Sequence, residues 1–284
     1  MLGHEAAGGK GDAVLDASVG MELLHGYLLI HDDFMDRDEV RRGGPTVHAA
    51  LAKRVGEHTG GSVAILLGSL CQAWAYELVL AAPGRALEAA RLLTEALQDV
   101  IVGQALDVLA PSGPELSGEG VLEVQRLKTG SYTFELPLRL GAVLAGGSRA
   151  LLDALSAYAR PLGQAFQIAD DLLGTFGSPE VTGKPNASDL RDGKRTLLIA
   201  RALEAATPQE AARLRAGLGN EGLSDAEIEA LREILLRTGA ADAARAEAER
   251  LCDEAVRALD APVLPGRVAQ ALREIATYSV QRGK

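Results

Sequence analysis

The sequence predicts an all-α fold, and three observations carry that prediction. Alanine and leucine dominate, while aromatic residues are only 4% of the 284. Apolar residues recur at spacings of three and four through most of the chain, the period of an amphipathic helix. Alternating β-branched residues, the period of a half-buried strand, are scarce. We expect about ten or more helices in a single domain over 1-284. No Ser/Gly-rich linker, charge block or repeat marks a boundary.

The elements follow in order. Met1–Lys10 has no basic stretch leading into an apolar run, so no secretory leader is visible. Leu24, Leu28 and Ile30–His31 keep helical spacing. Val63 to Ala82 carries one formal charge, Glu77, and is long enough to span a bilayer. Its Gly68, Ser69, Gln72 and Tyr76, with no Lys/Arg girdle following, favour a buried helix of a large helical protein. Trp74 and Tyr76 are then expected in the core. Leu87, Ala90, Leu93 and Leu97 mark the next helix. Ala110 through Gly120 reads as a loop, and so does the longer stretch from Gly174 to Arg195. A loop of that length in a compact domain is usually functional. Ser224-Asp-Ala-Glu227 is a capping box for a helix that stops by Thr238-Gly239. A helix from Ala241 to Leu259 follows. Pro262 and Pro265 then precede a last one from Arg267.

Composition removes several functions. Lys plus Arg is 29 and Asp plus Glu is 39, giving a net charge of −10. Sequence-independent nucleic-acid binding needs a basic surface, so no nucleic-acid partner is expected. Cys71 and Cys252 cannot build a disulfide framework, which points to a reducing cytoplasm.

The most informative stretch is His31-Asp32-Asp33-Phe34-Met35-Asp36, running on to Arg41-Arg42-Gly43-Gly44-Pro45-Thr46. On a helix, Asp32 and Asp36 are i and i+4 and share one face. Carboxylates so placed repel by a few tenths of a kcal/mol unless a cation lies between them. Hard oxygens with no His or Cys in the set favour Mg²⁺ over zinc. The competing reading is a solvated acidic helix end, which the apolar Leu-Leu-Ile upstream weakens. A second pair, Asp170-Asp171, again ends an apolar helix, here with Gly174 at i+4. Two acidic helix ends suit a metal-bridged diphosphate, because Mg²⁺ binds through few carboxylates plus phosphate oxygens. Cations for the phosphates stand nearby in sequence: Arg41, Arg42, Lys128-Thr129-Gly130, Lys184 and Lys194. No Walker sequence, dinucleotide glycine fingerprint, zinc spacing or serine elbow competes with the set.

Four features in order resemble the trans-isoprenyl diphosphate synthases, the polyprenyl synthetase family. They are HDDFMDRDEVRRGGPTVH (31–48), GQALD (103–107), KTGSY (128–132) and FQIADDLLGTFG (166–177), the last continuing to TGKPNASDLRDGKRTL (182–197). The resemblance implies an all-α bundle around a central cavity, usually a homodimer. It implies head-to-tail condensation of isopentenyl diphosphate with an allylic diphosphate, with Mg²⁺ as cofactor (three ions with diphosphate bound). Asp32, Asp36 and Asp170 match the family's metal ligands, with Asp33 and Asp171 supporting them. Arg41, Lys128, Thr129, Gln167, Lys184 and Lys194 match groups around the allylic diphosphate. Arg42 matches a residue on the isopentenyl side, and Gln104 and Asp107 match a polar pair lining the cavity. In the family, bulk one to two turns before the first aspartates shortens the product. Leu28 and Leu24 lie about 6 and 12 Å back along the helix, and Tyr27 is the bulky residue beside them. A short-chain product, geranylgeranyl or farnesyl diphosphate, is expected.

The chain departs from the family pattern twice. Gly174 replaces the third aspartate of the second motif. The Gly-Gly-Lys-Arg motif of an N-terminal helix is not matched: Gly8-Gly9-Lys10 reads as an interhelix loop. The chain is therefore expected to lack the usual N-terminal helices. Three rivals remain: a terpene cyclase-like enzyme, a non-catalytic partner subunit of a synthase, and a membrane-anchored helical binding protein.

Overall fold

The computed structural model describes residues 1–177 and 187–280. Helices α1 (Leu2–Ala6) and α2 (Leu15–Asp36) are followed by a hairpin of β1 (Val40–Arg41) and β2 (Gly44–Pro45). Then come α3 (Val47–Val55), α4 (Glu57–Ala81), α5 (Ala86–Leu109) and α6 (Gly118–Gln125). A π-helix covers Arg126–Glu135, and α7 (Leu136–Leu144) and α8 (Arg149–Phe176) complete the middle. The rest is α9 (Ser188–Arg191), α10 (Leu197–Ala205), α11 (Pro208–Gly217), α12 (Asp225–Arg237), α13 (Ala240–Ala258) and α14 (Gly266–Val280). The all-α prediction holds, apart from the small hairpin.

The residues divide into two compact units. The first comprises Met1–Ala96, Leu136–Leu155 and Val263–Val268. Its main pairing is α2 against α4, which glycines on α4 make close. A β-carbon at Gly61 would strike the Phe34 ring, and one at Gly68 would strike His31. Gly60 touches the backbone of α3, where Ala52 N would lie 2.6 Å from an added β-carbon. The α1–α7 crossing is close in the same way: a side chain at Gly3 would overlap the Leu138 carbonyl. Gly8, Gly9 and Lys10 form the turn between α1 and α2, as expected.

Helix α4 corrects one expectation. Only 22% of its apolar window is buried, although it is long and apolar enough to cross a membrane. Gly60, Gly61, Ala64, Gly68, Ala75 and Val79 face the unit's core. Leu66, Leu70 and Trp74, at i, i+4 and i+8, form an exposed stripe. Trp74, expected in the core, is 46% exposed. Its neighbour Tyr76 is half-buried, with its hydroxyl 3.0 Å from Thr94 Oγ1.

The second unit comprises Leu97–Glu135, Ser156–Pro262 and Ala269–Lys284. Ile168, Leu197, Leu198, Leu231, Leu235, Ala244 and Leu251 form its core. Burying each large aliphatic side chain contributes about 1.5–3 kcal/mol. The capping box at Ser224 and Glu227 is present, and α12 stops at Thr238. Helix α8 runs on through Gly174 to Phe176, three residues into the stretch expected to be a loop.

Candidate active site

Helix α2 ends at Asp36 because Arg37 adopts a left-handed conformation (φ 60°). The Asp38 N–H then turns back to the Asp33 carbonyl at 2.9 Å. The hairpin follows at once. Arg42 and Gly43 both have positive φ, 52° and 76°, between the paired residues Arg41 and Gly44. That is the geometry of a two-residue primed turn, which explains the glycine after the arginines. The hairpin carries Arg41 back over the helix end. Its Nε donates to Asp33 Oδ1 at 2.5 Å, and its guanidinium lies 3.6 Å from both Asp32 and Asp38. Thr46 Oγ1 closes the turn on the Asp38 carbonyl at 2.7 Å.

The two adjacent aspartates thus take different places. Asp33 is buried and held by Arg41, while the Asp32 side chain keeps 23% exposure. Burial pushes the Asp33 carboxyl above the usual carboxylate range, and Arg41 only partly opposes this. Asp36 shares the helix face of Asp32, one turn on. His31 turns away from the carboxylates, its Nε2 2.9 Å from the Ile65 carbonyl on α4. The donor set is therefore oxygen alone, which fits Mg²⁺ and not zinc. Among the described residues no three acidic, His or Cys groups form a ready-made metal cage.

The second motif repeats the division. Asp170 is exposed, and Asp171 is buried. Gln125 Nε2 donates to Asp171 Oδ2 at 2.6 Å, and Gln167 Nε2 donates to Oδ1 at 2.8 Å. Burial raises the Asp171 carboxyl well above its ordinary value; Asp189 adds to the rise, and the Gln167 amide opposes it. The third position of the motif explains itself. A β-carbon at Gly174 would overlap the Asp189 carboxylate, so that acidic group fills the space a side chain there would need. Asp189 is buried, with Lys194 Nζ 3.8 Å away.

The lysine motif lies on the π-helix, a form rare enough to mark a functional segment. Two glycines hold it. A β-carbon at Gly103 of α5 would collide with the Lys128 backbone, and one at Gly163 of α8 would lie 2.6 Å from Gly130 Cα. Lys128 Nζ donates to Asp107 Oδ2 at 2.6 Å, and Thr129 Oγ1 donates to Gln167 Oε1 at 2.9 Å.

The model of the polyprenyl synthetase family matches residues 2–235. The chain belongs to this family. The (2E,6E)-farnesyl diphosphate synthase of Mycobacterium tuberculosis is 36% identical over 282 residues, covering 98% of this chain and 76% of that one. The geranylgeranyl diphosphate synthase of Saccharolobus solfataricus is 31% identical over 283 residues, covering 98% and 82%. Among solved structures, the Corynebacterium glutamicum geranylgeranyl pyrophosphate synthase, complexed with isoprenyl diphosphate and magnesium, superposes with a TM-score of 0.90. It is 38% identical, with 99% of this chain and 84% of that chain covered. The fold is the all-α isoprenoid synthase fold, and the enzyme is a prenyltransferase.

Within the first unit of this polyprenyl synthetase, Asp32, Asp33, Asp36 and Arg41 come together, and Arg42 sits exposed at the hairpin tip. Tyr27 is buried edge-on to His31 at 4.7 Å between ring centroids; Leu28, next to it, is half-buried. Within the second unit, Asp107 joins Lys128, and Thr129 joins Gln167, which in turn donates to Asp171. Gln104 is half-buried on α5. Lys184 lies outside the described residues. Sequence reasoning missed Gln125. The available signal is its spacing: Val121 and Gln125 are i and i+4, and both are buried, so a glutamine stands on an apolar helix face. A buried amide needs a partner.

Proposed function

We propose that this single functional domain, 1-284, condenses isopentenyl diphosphate with an allylic diphosphate to give farnesyl or geranylgeranyl diphosphate. The observation that carries the reading is the repeated division of adjacent aspartates, one accessible and one buried and held, in both acidic motifs. Asp32, Asp36 and Asp170 are the groups that would hold Mg²⁺, in keeping with the exposure of Asp170 and the part-exposed side chain of Asp32. When bound, the metal neutralises the charge that builds on the diphosphate as the allylic C–O bond breaks. Arg41, Lys128, Thr129, Gln167 and Lys194 bind and orient the allylic diphosphate. Asp107 keeps the Lys128 ammonium in place, and Arg42 faces the isopentenyl substrate. The double bond of isopentenyl diphosphate then attacks the allylic cation. One proton passes from the new chain to the departed diphosphate, which is released as inorganic diphosphate. Tyr27 and Leu28 limit the growing tail; the burial of Tyr27 supports a fixed floor there.

Free Cys71 and Cys252 are consistent with a cytoplasmic enzyme. The exposed Leu66, Leu70 and Trp74 stripe supports a homodimer, because a contiguous apolar surface favours cover by another chain. On this reading α4 faces a second protomer and is not a membrane anchor.

Release of inorganic diphosphate tests the function. It should require both substrates and Mg²⁺. Release from the allylic substrate alone, at the same rate, would favour the cyclase-like alternative.

A further inference from the structure

We infer that Gln125 is a positioning residue for prenyl transfer: its amide fixes Asp171 and thereby locks the π-helix that carries Lys128 to the helix end that carries Asp170. Gln125 is the last residue of α6, immediately before the π-helix. It is 8% exposed, and its Nε2 reaches Asp171 Oδ2 at 2.6 Å. Four residues on, Thr129 Oγ1 donates to Gln167 Oε1 at 2.9 Å, and Gln167 Nε2 donates to Asp171 Oδ1 at 2.8 Å. These bonds close a ring. The segment 125–129 is fastened to α8 at both ends, with Lys128 between the fastenings. Gln164 Nε2 adds a third tie to the Leu122 carbonyl of α6 at 3.2 Å.

Chemistry explains why two amides are used here. A buried carboxylate needs a donor on each oxygen, or it bears the cost of lost hydration. Arginine fills this place for Asp33 in the first motif. A second arginine beside Asp170 would compete with a metal for the same carboxylates. Neutral amides satisfy Asp171 without adding positive charge, and they leave Asp170 to face solvent. Gln125 touches neither substrate nor metal on this account. It acts through Asp171 and through the geometry of its own segment.

A polarity swap tests the inference. Gln125→Glu sets carboxylate against carboxylate. Gln125→Glu with Asp171→Asn restores an amide–carboxylate bond with the roles exchanged, and the side-chain oxygen kept at position 171 still accepts from Gln167. Gln125→Met keeps the volume and removes the donor. Each variant is assayed for kcat, for KM of isopentenyl diphosphate, for hydrogen exchange of residues 126–135 without metal, and for the Mg²⁺ concentration at which inorganic diphosphate binds by calorimetry. Gln125→Met should lower kcat about ten- to a hundredfold, the range implied by losing one hydrogen bond to a charged group. KM should stay within about twofold of wild type, as expected for an interaction that orients and does not bind. Exchange over 126–135 should speed up, and the Mg²⁺ requirement should rise. The swapped pair should recover most of what Gln125→Glu loses.

Wild-type kcat and Mg²⁺ requirement in Gln125→Met would overturn the inference. So would a swapped pair that stays as impaired as Gln125→Glu, or that does not fold. The inference rests on the proposed metal role of Asp170, which Asp170→Asn tests separately. If that variant binds diphosphate with unchanged Mg²⁺ dependence, the metal assignment fails, and the hydrogen-exchange and swap results still decide the part played by Gln125.

Discussion

At the scale of single residues, both acidic motifs solve one problem. Two neighbouring carboxylates cannot both face a ligand from the same helix end, so one is turned inward and held by a donor. Asp33 takes Arg41, and Asp171 takes Gln125 and Gln167. The aspartates themselves, the spacing of Asp32 and Asp36, and Lys128-Thr129 were legible in the sequence, because helical spacing and charge are local. Gln125 and Asp189 were not, since their partners lie 46 and 15 positions away in the chain. Lys128 is the cation whose loss should be most visible. Lys128→Met should lower kcat about 10²–10³-fold, the usual cost of removing one preorganised group that stabilises developing charge, as steady-state kinetics would read. His25 gives a pH dependence. Burial lowers its pKa below the ordinary 6.5, with Arg41 and Arg42 acting the same way and Glu22 opposing. The folded state therefore binds its proton less readily than the unfolded state. Stability tied to neutral His25 is present above about pH 6.5 and falls as pH drops through the histidine range. His25→Gln should lose less thermal stability than wild type between about pH 7 and pH 5; parallel melting curves for the two proteins would contradict this.

At the scale of elements, glycines decide where helices meet. The helical pattern and the capping box were readable because periodicity and caps are local signals. The π-helix was not, since i, i+5 bonding leaves no distinct apolar period. Nor was the exposed stripe of α4, whose apolar composition is the same whether its outer face is covered or bare. Helix α8 extends past the end expected from sequence because Gly174, a residue type common in loops, is helical here. That glycine is kept small by the Asp189 carboxylate. The π-helix lies against two such positions, Gly103 and Gly163. Gly163→Ala places a methyl 2.6 Å from Gly130 Cα, with backbone on the other side. Overpacking of this kind costs typically about 1–3 kcal/mol. It should also displace Thr129 from Gln167, so kcat should fall by more than the folded fraction does, as paired melting and kinetic measurements would show.

At the scale of the whole molecule, the all-α class followed from composition and period, and the chemistry followed from the order of four motifs. What could not be read was which of two adjacent aspartates is accessible, because that depends on donors placed by the fold: Arg41 turned back by the hairpin, and Gln125 brought from α6. The central claim is that the chain joins isopentenyl diphosphate to an allylic diphosphate. The direct measurement is the mass of the products formed with Mg²⁺, isopentenyl diphosphate and dimethylallyl, geranyl or farnesyl diphosphate, with and without EDTA. Chains extended by whole isoprene units are expected, ending at farnesyl or geranylgeranyl diphosphate and absent with EDTA. Consumption of the allylic diphosphate with no extended chain from any of the three primers would contradict it.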